Sequence, residues 1–511
     1  MEKSENNVGY FSQMPVCEGV FQADVNSDFS LPDYKSEIRR LLCTKVEVIP
    51  PKEYLGNSSA ILEGDIIYKI LYTGIDSALY CATLTDKYKL ELPLEFNAHS
   101  VNSDETRLFF TCSCESSSSR VLAPRKLNIK AKISCRTLAL SPSLYTPNII
   151  GAYESGEVEK KVLEVSSAYL KKCQSEPITL NDLIPLDPQI DNVRIIGSST
   201  EVMISECTSV SHRINIRGEA IVKLLYCNDA ESQQALVMTK KLPFAEEIPC
   251  EDIDGTFEVC SYGVVDDEDV KVEENGISVE VSLVLFATAQ KGVTVPYIAD
   301  AFSTRCVSVC ENGEITVSEP LRCFNGSLSQ SVSHPLADLR ISPDARIIDV
   351  SANAKLNSYG IENGKLTLLG ECHYLVVYFC DGEYSCREVV SPFRYESDTR
   401  TNDKNANDLT CYTNTNCLFT RARNDGEQLH LDGEICFNII SQAKQRVELL
   451  SSLALGDTLE KRSRGMTLCY PEKKATLWDV AKRYGESVEM LKRKNSLPDT
   501  YDISKKKYII V

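Results

Sequence analysis

Gly64-Asp65-Ile66-Ile67-Tyr68-Lys69-Ile70-Leu71-Tyr72 returns as Gly218-Glu219-Ala220-Ile221-Val222-Lys223-Leu224-Leu225-Tyr226, and again as Gly370-Glu371-Cys372-His373-Tyr374-Leu375-Val376-Val377-Tyr378. The spacings are 218 − 64 = 154 and 370 − 218 = 152 residues. A nine-residue pattern at so regular an interval predicts three related domains. The flanks repeat as well. Upstream of each copy a Pro precedes an aliphatic residue: Pro32 with Ile38, Pro188 with Val193, Pro343 with Ile348. Downstream stand Leu92-Pro93-Leu94, Leu242-Pro243-Phe244 and Ser391-Pro392-Phe393, and each unit closes on an apolar run, at 127–140, 277–289 and 429–440.

The local pattern is β. Runs are short and rich in Val, Ile, Tyr and Thr, and Ile277 to Leu283 alternates apolar with polar residues, which buries one face of a strand and wets the other. Asn363-Gly364 and Asp381-Gly382 read as hairpin turns between such runs. The Gly that opens each signature marks a bulge or a close backbone approach. The fold class is therefore mainly β: three tandem antiparallel β-rich repeats at 13–150, 160–310 and 313–460, behind a tail of residues 1–12. Residues 397–408 read as a mobile polar loop and 459–464 as a charged linker.

The chain has 511 residues, 43% of them apolar, enough for several cores. Net charge is −18, which disfavours nucleic acid as a partner. Residues 461–511 hold 13 Lys+Arg and 6 Asp+Glu, hence +7, so the remainder carries −18 − 7 = −25. A basic tail on an acidic body suits an acidic partner, or is a solvated basic face. No apolar run approaches the roughly 18 residues of a membrane helix, and Met1 to Gly9 carries no apolar core of a secretory signal, so the expectation is a cytosolic protein. In a reducing compartment the 21 Cys, an odd number, are expected as free thiols inside strands.

Catalytic patterns are missing from the sequence. There is no phosphate loop, nucleophile elbow or HExxH pair. The five His (His99, His212, His334, His373, His430) have no His or Cys three or four residues on, and no CxxC pair points to zinc. The acid run Asp266 to Asp269 reads as a solvated turn. The expectation is a protein that is not an enzyme, with no cofactor and no metal.

After residue 465 the grammar changes to β-α-α-β in about 46 residues. Thr476 caps a helix to Tyr484, Gly485 suits its C-terminal cap, and Leu477, Val480, Ala481 and Tyr484 form one stripe. Ser487 caps a second helix. Thr476-Leu477-Trp478-Asp479-Val480-Ala481-Lys482-Arg483-Tyr484-Gly485, then Ser487-Val488-Glu489-Met490-Leu491 and Asn495, resembles a LysM domain, which places that module at 465–511. In that family two loops cradle N-acetylglucosamine chains. One usually has Gly-Asp where this sequence has Lys474-Ala475, and the other Pro-Gly-Gln where it has Ser504-Lys505-Lys506.

The three upstream repeats resemble the SPOCS domain, a β-rich module of spore-coat proteins of endospore-forming Firmicutes. Three such units before a terminal LysM resemble the SipL-like spore-coat morphogenetic proteins. That resemblance implies a scaffold in the mother-cell cytosol at the forespore surface, joining the SpoIVA-type coat ATPase, and with it other coat proteins, to the spore. The altered loops favour this over a peptidoglycan-binding wall protein. Trp478, the one Trp, lies about 100° round the helix from Leu477. It either covers a small core or anchors a partner. On the second reading Met466 and Trp478 form the partner-binding patch, and Lys474, Lys505 and Lys506 steer an acidic partner to it.

Overall fold

The computed structural model describes residues 10–96, 105–151, 157–185, 193–227, 235–400, 408–459, 466–472, 475–498 and 508–511. The chain is mainly β. The first third contains β1 (Tyr10–Ser30), β2 (Ile38–Val48), β3 (Lys52–Leu55), β4 (Ser59–Gly74), β5 (Leu79–Pro93), β6 (Arg107–Ala123), β7 (Lys126–Leu144) and the short β8 (Asn148–Ile150). The second contains β9 (Val158–Gln174), β10 (Ile178–Pro185), β11 (Arg194–Val210), β12 (Arg213–Cys227), β13 (Ala235–Pro249), β14 (Glu258–Glu273) and β15 (Gly276–Ser303). The third contains β16 (Cys306–Pro335), the single turn α1 (Leu336–Leu339), β17 (Arg346–Glu362), β18 (Lys365–Cys380), β19 (Glu383–Arg400), β20 (Leu409–Asn424) and β21 (Gln428–Thr458). The tail adds β22 (Leu468–Cys469), α2 (Leu477–Tyr484), α3 (Val488–Asn495) and β23 (Ile509–Ile510).

Each signature lies on the central strand of one antiparallel sheet: β4 between β2 and β5, β12 between β11 and β13, β18 between β17 and β19. Each closing run is central in a second sheet: β7 between β1 and β6, β15 between β10 and β14, β21 between β16 and β20. The alternating apolar faces of the two sheets meet. Tyr68, Leu62 and Ile66 share a core with Ile129 and Ile133, Val222 and Leu224 with Val279 and Val281, and Tyr374 and Val376 with Ile435 and Phe437. Burying each such side chain is worth about 1.5–3 kcal/mol relative to exposure, so the alternation fixes the register of every sheet.

The signature glycines occupy matching places. Gly64 pairs across the ladder with Tyr88, Gly218 with Phe244 and Gly370 with Phe393. In each case the neighbour's ring lies over the bare Cα, where a Cβ would collide with it. On the other side the partner strand slips register, between Ile204 and Glu206 and between Leu356 and Ser358. In the first third Pro50-Pro51 interrupts the same edge between β2 and β3. The expected bulge and close approach are thus both present. The downstream Pro alignment needs correction: Pro93 faces Ser59, five residues before Gly64, and so corresponds to Pro249, which faces Arg213, and not to Pro243.

Asn363-Gly364 and Asp381-Gly382 do form two-residue turns, with φ of 51° and 74°, and 53° and 80°. The acid run Asp266 to Asp269 does not form a turn. It lies inside β14, with a bulge between Val265 and Asp267; Asp266, Asp267 and Asp269 are exposed, whereas the Glu268 side chain is 12% exposed and pairs with Lys69. Nor are all thiols free. Cys173, at the end of β9, and Cys250, just after β13, are bonded, their Cα atoms 6.2 Å apart, a spacing that a disulfide spans. The other 21 − 2 = 19 Cys are free. Strand β16 runs unbroken through residues 310–313, where the sequence suggested a gap. Most of the expected loop at 397–408 and linker at 459–464 lies outside the described residues, as do Pro188 and His99.

Candidate functional site

The tail is built by local signals. The Thr476 hydroxyl accepts from the Asp479 N–H and the Asp479 carboxylate accepts from the Thr476 N–H, a complete capping box at the start of α2. Gly485, at φ 65°, ends it. Ser487 caps α3 through the Met490 N–H at 3.1 Å. The buried Asn495 clamps α3 to β23, donating to the Ile510 carbonyl and accepting from its N–H, both at 2.7 Å. Val480, Ala481, Leu491, Cys469 and Ile509 form the core, with Leu477 and Trp478 packed on it. Tyr484 is 40% exposed, so it sits at the edge of the expected stripe and not inside it.

That core is completed by Phe302 of β15. Trp478 meets the Phe302 ring edge-on at 5.0 Å. Its indole N–H donates to Asp300 Oδ2 at 2.8 Å, and Lys482 Nζ donates to Asp300 Oδ1 at 2.6 Å. Burial pushes the Asp300 carboxyl up, but the hydrogen bonds from Lys482 and Trp478 outweigh it and hold it below the ordinary range. On the neighbouring β9, Glu159 accepts from the Val488 N–H at the start of α3, and burial, with Glu489 nearby, raises its pKa. The partly buried Trp478 therefore covers the tail's core and anchors the tail to the second third of the chain.

Among the described residues nothing covers the opposite face of the tail. Leu468 pairs with Ile510, and Cys469 with Ile509. Cys469 and Ile509 point inward, so the alternation turns Met466, Leu468 and Tyr470 outward together, with Tyr508 beside them. Met466 is 73% and Tyr470 63% exposed, and the Tyr470 and Tyr508 rings lie 6.5 Å apart. Of the sequence-predicted patch, Met466 is on this face, Trp478 is engaged by Asp300, and Lys474, Lys505 and Lys506 lie outside the described residues. Leu468, Tyr470 and Tyr508 went unremarked in the sequence although their alternation was legible. Asp300 and Phe302 carried no local signal.

The three thirds meet in a ring. Leu71, Leu225 and Val377, the eighth residues of the three signatures, share one cluster. Ion pairs cross every junction: Lys69 with Glu268 at 3.7 Å, Lys223 with Asp349, and Arg39 with Glu383 at 2.6 Å. Between them lies a cavity of about 1310 Å³, lined by β2, β6, β11, β14, β17 and β20. Lys45, Glu47 and Glu201 face it. Burial disfavours the Glu47 charge, but Lys45 and Lys69 override it and lower its pKa, whereas at Glu201 burial prevails and raises it. Among the described residues no group of three or more His, Cys, Asp or Glu could hold a metal ion. No described helix is long and apolar enough to cross a membrane.

Residues 191–275 match the family model of the SipL SPOCS domain. The match runs from just before β11 to just past the end of β14 and contains the second signature. It supports a SipL-like, sporulation-related protein, and the SPOCS family is not a known enzyme family. No curated protein and no solved structure matches the chain significantly.

Proposed function

We propose that this chain is a non-enzymatic adaptor of endospore coat assembly. It is built from three SPOCS-like repeats and a LysM-like domain, and works in the mother-cell cytoplasm at the forespore surface. The LysM-like domain binds the SpoIVA-type coat ATPase, and the repeats receive other coat proteins. The observation that carries this reading is the SPOCS match at 191–275, inside a sheet arrangement that recurs around the other two signatures. The exposed apolar sheet face of Met466, Leu468, Tyr470 and Tyr508, on a tail of net charge +7 (13 − 6), supports a protein partner: an apolar centre with a basic surround suits an acidic protein.

The test is a paired pulldown of the full chain on a SpoIVA-type protein and on purified peptidoglycan. Retention by the first alone is expected, and Met466→Ala with Tyr470→Ala weakens it by about 2 kcal/mol, the scale of interface hot spots. Retention on peptidoglycan alone returns the chain to the wall-binding reading.

A further inference from the structure

Ten of the 21 Cys stand in five facing pairs. One is the Cys173–Cys250 disulfide. Cys112 and Cys135 lie opposite each other on β6 and β7 with sulfurs 2.8 Å apart, and Cys372 and Cys417 join the two sheets of the last third at 3.5 Å. The remaining two pairs cross between thirds. Cys43 on β2 and Cys386 on β19 pack on one apolar cluster, and Cys323 on β16 and Cys260 on β14 belong to another. Cys43 and Cys386 pack on the apolar cluster shared by all three thirds, a few residues from the Arg39–Glu383 ion pair.

The position of the Cys43–Cys386 pair is distinctive. The first third is covalently continuous with the second, and the second with the third. The junction of third to first has no disulfide, and Cys43 and Cys386, 386 − 43 = 343 residues apart, pack on the same cluster at it, beside the Arg39–Glu383 ion pair. Both line the central cavity, which a molecule as small as peroxide enters, while Cys260 and Cys323 are buried away from it. We propose that Cys43 and Cys386 are a thiol pair that peroxide converts into a disulfide closing the ring of three thirds.

The chemistry balances. The Cys386 thiolate attacks one peroxide oxygen, the O–O bond breaks, and hydroxide leaves and takes up a proton. The Cys43 sulfur then attacks the Cys386 sulfenic sulfur, the S–O bond breaks, and the Cys43 proton leaves with the hydroxyl as a second water. Two thiols are oxidised and one peroxide is reduced to two waters. The hydrogen bond from Cys43 favours the thiolate at Cys386, lowering its pKa, which makes Cys386 the attacking sulfur.

The test uses the full folded chain and a small excess of hydrogen peroxide, followed by alkylation in denaturant and digestion without reductant. A cross-linked peptide pair containing Cys43 and Cys386 is expected among the first products, with the count of free thiols falling by two. On a non-reducing denaturing gel the monomer runs faster, and a thiol reductant reverses the shift. In Cys386→Ser, whose near-isosteric side chain keeps the junction packed, the cross-link and the shift are absent and Cys43 is recovered alkylated. The proposal is overturned if Cys43 and Cys386 remain alkylated while other thiols oxidise. It is equally overturned if either ends as a sulfinic acid or pairs elsewhere, including with a second chain.

Discussion

Trp478 donates its indole N–H to Asp300 across 178 residues of sequence, and Lys482, one turn along α2, donates to the other oxygen of the same carboxylate. One acid on the second third thus holds two donors of the tail. Charge-assisted hydrogen bonds of this kind are worth about 1.5–3 kcal/mol. Asp300→Ala should therefore release the tail while leaving the sheets intact. Because Trp478 is the sole Trp, its fluorescence reports the event directly. We expect a red-shifted emission and greater quenching by iodide, with unchanged β circular dichroism. An unshifted emission would show that the remaining contacts, Phe302 on Trp478 and Glu159 on the Val488 N–H, suffice to hold the tail.

The same pair sets a pH response. Asp300 titrates below its ordinary value of 3.8 when docked, despite the opposing effect of burial, because Lys482 and Trp478 favour its charged form. A depressed carboxylate contributes stability above its undocked pKa and loses it as pH falls through the docked one. Lys482 is shifted the opposite way: burial lowers it, but Asp300 outweighs this and raises it above 10.5, so its contribution fades only in strong alkali. Docking should hold through neutral pH and fail below about pH 4. Tryptophan emission against pH in Lys482→Met, compared with the parent chain, checks this: the acid transition should move to higher pH in the variant.

The signature glycines differ in what crowds them. A Cβ on Gly218 or Gly370 would run into a backbone carbonyl, of Met203 or Lys355, as well as into the facing ring, whereas on Gly64 the atoms nearest to it all belong to the Tyr88 ring. Rings can tilt and carbonyls in a ladder cannot. Gly218→Ala and Gly370→Ala should each cost about 1–3 kcal/mol, the range of overpacking, and Gly64→Ala less. Urea midpoints measured on the full chain give the order directly.

Much of this was legible in the sequence because it is local. The threefold signature located the three central strands, Asn363-Gly364 announced its turn, and Thr476 with Gly485 announced α2. The sequence reading failed where the cause was distant. Nothing around Asp300 shows that a helix 178 residues away will seat on it, and nothing around Leu71, Leu225 and Val377 shows that three equivalent residues converge. Cys173 and Cys250 were misjudged for the same reason, since pairing depends on two strand ends meeting. The Pro of the first third was misaligned because Pro93 and Pro243 share similar neighbours in sequence but occupy different rungs of the ladder.

The cavity supplies the last prediction. Glu201 faces it beside Lys45 and Lys223, with Glu47 and Asp349 also near. Burial is the largest influence, the two acids add to it, and together they outweigh the two lysines, raising the Glu201 pKa above its ordinary 4.5. A carboxyl raised in the folded state stabilises the fold fully below its unfolded pKa, and that contribution is lost as pH rises through the folded value. At pH 7 the charge is therefore a cost to the fold. Glu201→Gln keeps the shape and removes the charge, so it should raise the urea midpoint at pH 7 and lose that advantage at pH 4, where the parent's carboxyl is protonated as well. The m-value should not change, since the same surface is exposed on unfolding. A lower midpoint at pH 7 would mean that Lys45 and Lys223 depend on the Glu201 charge, and that the lysines, rather than burial, dominate this part of the cavity.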